Sequence, residues 1–79
     1  MNLRDLQYII AVAETMHFGK AAARCFVSHP TLSGQIKKLA EELGVAIFAR
    51  TNRSVDMTPT VHPILQNARL IMGQAYALQ

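Results

Sequence analysis

Residues 27–43 read VSHPTLSGQIKKLAEEL, and this stretch sets what the rest of the chain has to support. Ser28 suits a helix N-cap, because its hydroxyl can accept one of the backbone N–H groups left unpaired in a first turn. Val27 and Leu32 occupy the two positions of a hydrophobic staple around that cap. Pro30 falls inside the first turn, where its missing N–H is harmless. Leu32, Ile36, Leu39 and Leu43 then recur at spacings of 4, 3 and 4, a single apolar stripe of helical period. Gly44 supplies the left-handed residue that stops the helix. The opposite face carries Pro30, Ser33, Gly34, Lys37, Lys38 and Glu41, with no carboxylate before Glu41. A helix greasy on one side, and both slim and basic on the other, has the form that a DNA major groove admits.

Upstream of this helix, Gly19 starts a short second one, KAAARCF. Its three consecutive alanines remove bulk where it must cross its neighbour closely. Phe18, Ala22, Cys25 and Phe26 are its expected packing contacts. A short helix, a tight turn and an amphipathic second helix make a helix-turn-helix. Spacing alone fits a purely structural helix pair equally well. The first helix opens at Asn2, with Asp5 three residues on, a cap and a first-turn acid. Leu3, Leu6, Ile9, Ile10 and Ala13 form a broad stripe, and Tyr8 and Val12 point elsewhere, so two neighbours are expected. This helix should end around Thr15 to His17.

After Gly44, Val45, Ile47 and Phe48 seek the core, and the following residues read as strand, turn, strand. Thr51, Asn52 and Ser54 are turn formers at the tip, with Arg50 and Arg53 beside them. A basic hairpin placed directly after a recognition-type helix is a wing, able to lay arginine on phosphates or in a minor groove. Without that helix it would read as an ordinary solvated hairpin. The last segment begins TPTVHP. Two prolines four apart cannot both lie deep in a helix, so Thr60 is the expected cap and Pro63 belongs to the first turn. Val61, Ile64, Ala68, Ile71, Ala75 and Leu78 then form a heptad-like seam, widened by Leu65 and Met72. An intramolecular stripe explains the same pattern. A small body has few surfaces to absorb so long an apolar helix, and a homodimer through it is the expectation. Gln79 follows with no capping residue, as in a longer protein cut at this point.

The totals agree with this reading. Seventy-nine residues, half of them apolar, make one small globular domain. The net charge is +3, and six of the eight Lys and Arg residues lie between Lys20 and Arg53, opposed there only by Glu41 and Glu42. A basic centre of this kind suits phosphate partners. No apolar run approaches the roughly 20 residues of a membrane span. No signal-peptide pattern opens the chain, and a lone cysteine excludes an internal disulfide framework; a cytoplasmic location without a membrane partner is expected. The four glycines lie too far apart for a phosphate loop. His17, Cys25, His29 and His62 do not match zinc spacing, and no nucleophile–base–orienter set is present. The expectation is therefore a non-enzyme with no metal and no cofactor, in which Cys25 is a small buried hydrophobe.

FGKAAARCFVSHPTLSGQIKKLAEELGVAIFART, together with the TPT that opens the last helix, resembles the amino-terminal DNA-binding domain of LysR-type transcriptional regulators. The run from His17 through PTLSGQI to LGV is most similar to the peroxide-sensing branch of that family. The likeness implies a mainly α, winged helix-turn-helix fold: a three-helix core plus a β-hairpin wing, followed by a long linker or dimerisation helix. Residues 1–58 would form the DNA-binding domain, with the motif at about 18–37 and the wing at about 46–58. Residues 60–79 would begin the linker helix, and the effector domain would lie outside this chain. Members of the family bind double-stranded DNA as dimers of dimers, so a tetramer is implied for a full-length parent. Within that frame His29, Pro30, Ser33 and Lys37 are expected at base edges, with Gly34 giving room for close approach. Lys20, Thr31, Gln35, Lys38 and Arg50 are expected at phosphates, and Arg53 at the minor groove. Two positions depart from the family pattern. His29 stands where glutamine is usual, which changes the donor–acceptor pattern offered to a base. Thr60-Val61-His62-Pro63 replaces a small residue and glycine, so the last helix need not start as the family's does. The competing expectation is a winged-helix module that binds an acidic protein rather than DNA. RNA binding is weaker still, for want of an aromatic platform.

Overall fold

The computed structural model describes residues 1–50 and 55–78, among which four helices and one antiparallel strand pair occur. Their order is α1 (Leu3–Thr15), α2 (Phe18–Arg24), α3 (His29–Leu43), β1 (Phe48–Arg50), β2 (Val55–Met57) and α4 (Val61–Ala77). The architecture is the mainly α one expected: three helices around one core, a hairpin beside them, and a long final helix.

The first helix starts with a reciprocal cap. Asn2 Oδ1 accepts the Asp5 N–H at 3.0 Å, and the Asp5 carboxylate accepts the Asn2 N–H at 3.1 Å. Two of the donors that any helix start leaves unpaired are thereby satisfied. Met16 ends the helix in the left-handed region at φ 52°, sending its N–H to the Val12 carbonyl at 2.7 Å. Leu6 and Ile9 are buried as the stripe requires, and Tyr8, Ala11 and Val12 are buried on the second face. Leu3, counted in the stripe, is exposed. This double burial follows from position, because α1 packs against α2, α3 and α4.

The second helix corrects its predicted start. His17, not Gly19, is the cap, and its Nδ1 accepts the Lys20 N–H at 3.0 Å. The helix stops at Arg24, and Phe26 turns the chain at φ 60°, a region that side chains other than glycine enter only under local constraint. That turn throws the Phe26 ring outward, 94% exposed, so Phe26 is not the packing contact expected. Ala21 joins Phe18 and Ala22 in the core instead.

The third helix matches its reading closely. Ser28 Oγ accepts the Thr31 N–H at 3.2 Å, and its hydroxyl donates to Thr31 Oγ1 at 2.8 Å. Gly44 ends the helix at φ 72°, with its N–H directed to the carbonyls of Ala40 and Glu41. Leu32, Ile36 and Leu39 are buried, whereas Leu43 lies past the edge of the core and is exposed. With Ile9, Val12, Ile47 and Val61 they form the centre of the molecule. Each such side chain contributes on the order of 1.5–3 kcal/mol by leaving water.

The wing pairs Phe48 with Met57, Ala49 with Asp56 and Arg50 with Val55. Ile47 and Val55 anchor it in the core. The expected tip residues Thr51, Asn52, Arg53 and Ser54 lie outside the described residues, as does the side chain of Arg50. At the base of the wing, Thr58 Oγ1 sits 2.6 Å from the Ala46 carbonyl, and Thr60 Oγ1 donates to the same oxygen at 2.9 Å. Thr60 thus holds the cap position of α4 without capping it, because its hydroxyl is used to tie the wing to the helix start. Pro63 lies in the first turn, and α4 runs without a break to Ala77.

The seam of α4 is divided in two. Val61, Leu65, Ala68 and Met72 are buried, Val61 and Leu65 in the main core and Ala68 and Met72 in a satellite cluster with Leu6. Val61 and Ala68 were expected at a dimer interface, but the body of their own chain covers them. Ile64 and Ala75 are half-buried, while Ile71 and Leu78 remain exposed. Among the described residues, no helix is long and apolar enough to cross a membrane.

Candidate nucleic-acid interface

Fifteen residues of α3 give a rod about 22 Å long. At about 100° per residue, Gly34 lies on the side of the rod away from Leu32, and Pro30, Lys37, Lys38 and Glu41 all fall within about 60° of it. All five are exposed, so neither α4 nor the described residues of the wing cover this ridge. A Cβ built on Gly34 meets no heavy atom within 4 Å, which leaves the ridge free and narrow at its middle.

His29 and Ser33 lie on one flank of the rod, turned toward α2 and β1. The His29 imidazole is exposed but packs in a T-shaped arrangement with Phe18, with ring centroids 6.0 Å apart and planes at 74°. Ser33 is placed differently from a simple outward reader. Its Oγ is shielded from solvent without a hydrogen-bond partner, at a cleft of about 330 Å³ lined by Phe18, Lys37, Ala46 and Phe48. Its hydroxyl has to turn outward to reach a base edge. On the other flank Thr31 is exposed and Gln35 half-buried. The Thr31 hydroxyl already accepts the Ser28 hydroxyl.

Charge is distributed in keeping with a phosphate partner. Lys20, Lys37 and Lys38 are exposed, and no acidic residue occurs from Phe18 to Ala40. Glu42 is drawn away by the chain's amino terminus at 3.0 Å. Arg24, although within the basic stretch of sequence, pairs with Glu14 of α1 at 2.7 Å and so belongs to another face. Cys25 is half-buried, and burial pushes its thiol above the usual cysteine range against the opposing pull of Arg4 and Arg24. Thiolate chemistry is disfavoured there.

Two residues of the interface carry roles that the sequence alone did not reveal. His17 acts as a cap, detectable only in its spacing of three from Lys20. Phe18 was read as core packing, yet its ring touches both His29 and Phe48, the latter at 6.2 Å and 81°. It joins the start of α3 to the wing.

The pattern that defines bacterial regulatory helix-turn-helix proteins of the lysR family matches residues 3–62. Over the whole chain there is 47% identity to OxyR, the DNA-binding transcriptional dual regulator of Escherichia coli K12. The same identity holds to the hydrogen peroxide-inducible genes activator of Pectobacterium carotovorum subsp. carotovorum. The chain spans 26% of each of these relatives. Full-length OxyR from Pseudomonas aeruginosa, solved as a point variant, superposes with a TM-score of 0.93 at 46% identity, covering 99% of this chain and 26% of that one. The CbnR DNA-binding domain solved with DNA gives 0.92 at 38% identity, covering 98% and 88%.

Proposed function

The chain belongs to the LysR family of bacterial regulatory helix-turn-helix proteins, and from that premise we propose that it is the DNA-binding domain of an OxyR-like transcriptional regulator. The observation that carries this is the exposed ridge of Pro30, Gly34, Lys37 and Lys38 on α3, with no carboxylate before Glu41. The rod enters a major groove with Gly34 nearest the bases. Pro30 and Lys37 flank it at base edges, joined by His29 and by Ser33 once its hydroxyl turns out. Lys20, Thr31, Gln35 and Lys38 hold phosphates on either side, and Arg50 is assigned from sequence to the backbone and Arg53 to the minor groove. Cations and amides set position, while a few side chains read sequence. The role is one of binding rather than catalysis, in a bacterial cytoplasm, with no cofactor and no metal.

A second subunit meets the free edge of α4. With Val61 and Ala68 already covered, that edge consists of Ile71 and Leu78, with Ile64 and Ala75 at its margin. The paired domains read two half-sites, and a longer parent doubles this to a tetramer. Peroxide sensing, where the parent performs it, resides outside these residues, and Cys25 takes no part.

Gel-shift titration against genomic DNA at 50 and 200 mM salt tests the reading. With four to six phosphate contacts per subunit, affinity falls by about two to three orders of magnitude per subunit over that range. A salt-insensitive complex, or capture only by an acidic protein, contradicts it.

A further inference from the structure

We propose that Phe18 is a positioning residue for sequence readout, its ring setting the angle at which the His29 imidazole meets DNA. This rests on the DNA-binding reading above. His29 is the first residue of α3 and is exposed, so nothing on its solvent side fixes its ring. A neutral imidazole carries one donor and one acceptor in its plane, and rotation about its second torsion is soft. Which base edge it can satisfy depends on what holds that plane. Phe18 is the ring observed against it, edge-on at 6.0 Å and 74°. Phe18 is itself 7% exposed, clamped by the core below and by Phe48 at 6.2 Å on the wing. A rigid, buried ring therefore orients an exposed one.

The experiment is a double-mutant cycle of Phe18→Leu and His29→Ala, read by selecting bound duplexes from a random pool and by titrating a random-sequence duplex. An edge-to-face contact corresponds to about a 2- to 10-fold preference. Phe18→Leu is expected to lose that much discrimination at the base pairs where His29→Ala loses it. It should add nothing in the His29→Ala background and leave random-duplex affinity and its salt slope unchanged. Loss at unrelated base pairs, additive effects or unchanged preference each overturn the proposal. Phe18→Met, which keeps volume without a ring, serves if the leucine variant melts early. If both variants fail to fold, the unmutated chain decides: ring-to-ring nuclear Overhauser effects between Phe18 and His29 are expected in NMR spectra, and their absence overturns the proposal. Failure of the DNA-binding reading is separate: the unmutated chain then shows no DNA affinity. In that event the His29 ring signals in NMR spectra of Phe18→Leu still report whether Phe18 orients the imidazole, and unmoved signals overturn it.

Discussion

Replacing Gly34 with alanine should move stability and DNA affinity in opposite directions. Gly34 sits inside α3, where glycine loses more backbone freedom on folding than alanine, by about 0.5–1 kcal/mol. An added Cβ meets no protein atom within 4 Å, so no clash offsets the gain. For a domain of this size the melting temperature should rise by roughly 2–8 °C. The same methyl group would stand on the ridge that approaches the bases. A misfit there costs about 1–3 kcal/mol, equivalent to roughly a 5- to 150-fold loss of affinity for a selected duplex. Binding to random duplex, held by cations, should change little. Thermal melts followed by circular dichroism and fluorescence-anisotropy titrations give the two numbers. A lower melting temperature would show that the site is not open on the protein side. Unchanged affinity for the selected duplex would show that Gly34 is not near base edges, and would refute the docking reasoning.

Lys38→Ala should weaken binding to all duplexes alike and reduce the salt slope by about 0.9, measured in gel shifts at several salt concentrations. A loss confined to one sequence would reassign Lys38 to readout. Ser28→Ala removes the acceptor of the Thr31 N–H and should cost about 1 kcal/mol, lowering the melting temperature by roughly 4–8 °C, whereas Ser28→Gly should cost only a few tenths. An unchanged melting temperature in Ser28→Ala would mean that the cap bond contributes nothing. Because burial raises the Cys25 pKa, the thiolate fraction near neutral pH lies below that of a free cysteine. Alkylation, followed by mass spectrometry, should be slow at pH 7 and accelerate as pH rises; full reactivity at pH 7 would contradict the burial.

What could be read from sequence was whatever a local rule determines. Ser28, Gly44 and the Asn2–Asp5 pair are caps whose partners lie within four residues, and the structure places each accordingly. The apolar stripe of α3 also held, apart from Leu43, which lies past the edge of the core. Readings failed where a distant group decided the outcome. The Thr60 hydroxyl left its own helix because the Ala46 carbonyl, far away in sequence, lies within reach. Phe26 left the core because the turn after α2 puts it at positive φ. The α4 pattern could not say which neighbour it serves, since its own chain and a second subunit want the same periodicity; the main core covers Val61, and α1 covers Ala68. Phe18 shows the converse: its burial was foreseeable, but its two ring contacts depend on how α2, α3 and β1 converge.

Backbone amide NMR of the labelled domain, titrated with a duplex chosen from a random pool, probes most directly whether α3 is the surface that DNA occupies. The amides of residues 29–38 (apart from Pro30) and of Lys20 should move most, with those of the α1–α4 contact nearly still. Large shifts around Phe26, Met72 and Tyr76 with a silent α3 would contradict the assignment at its root.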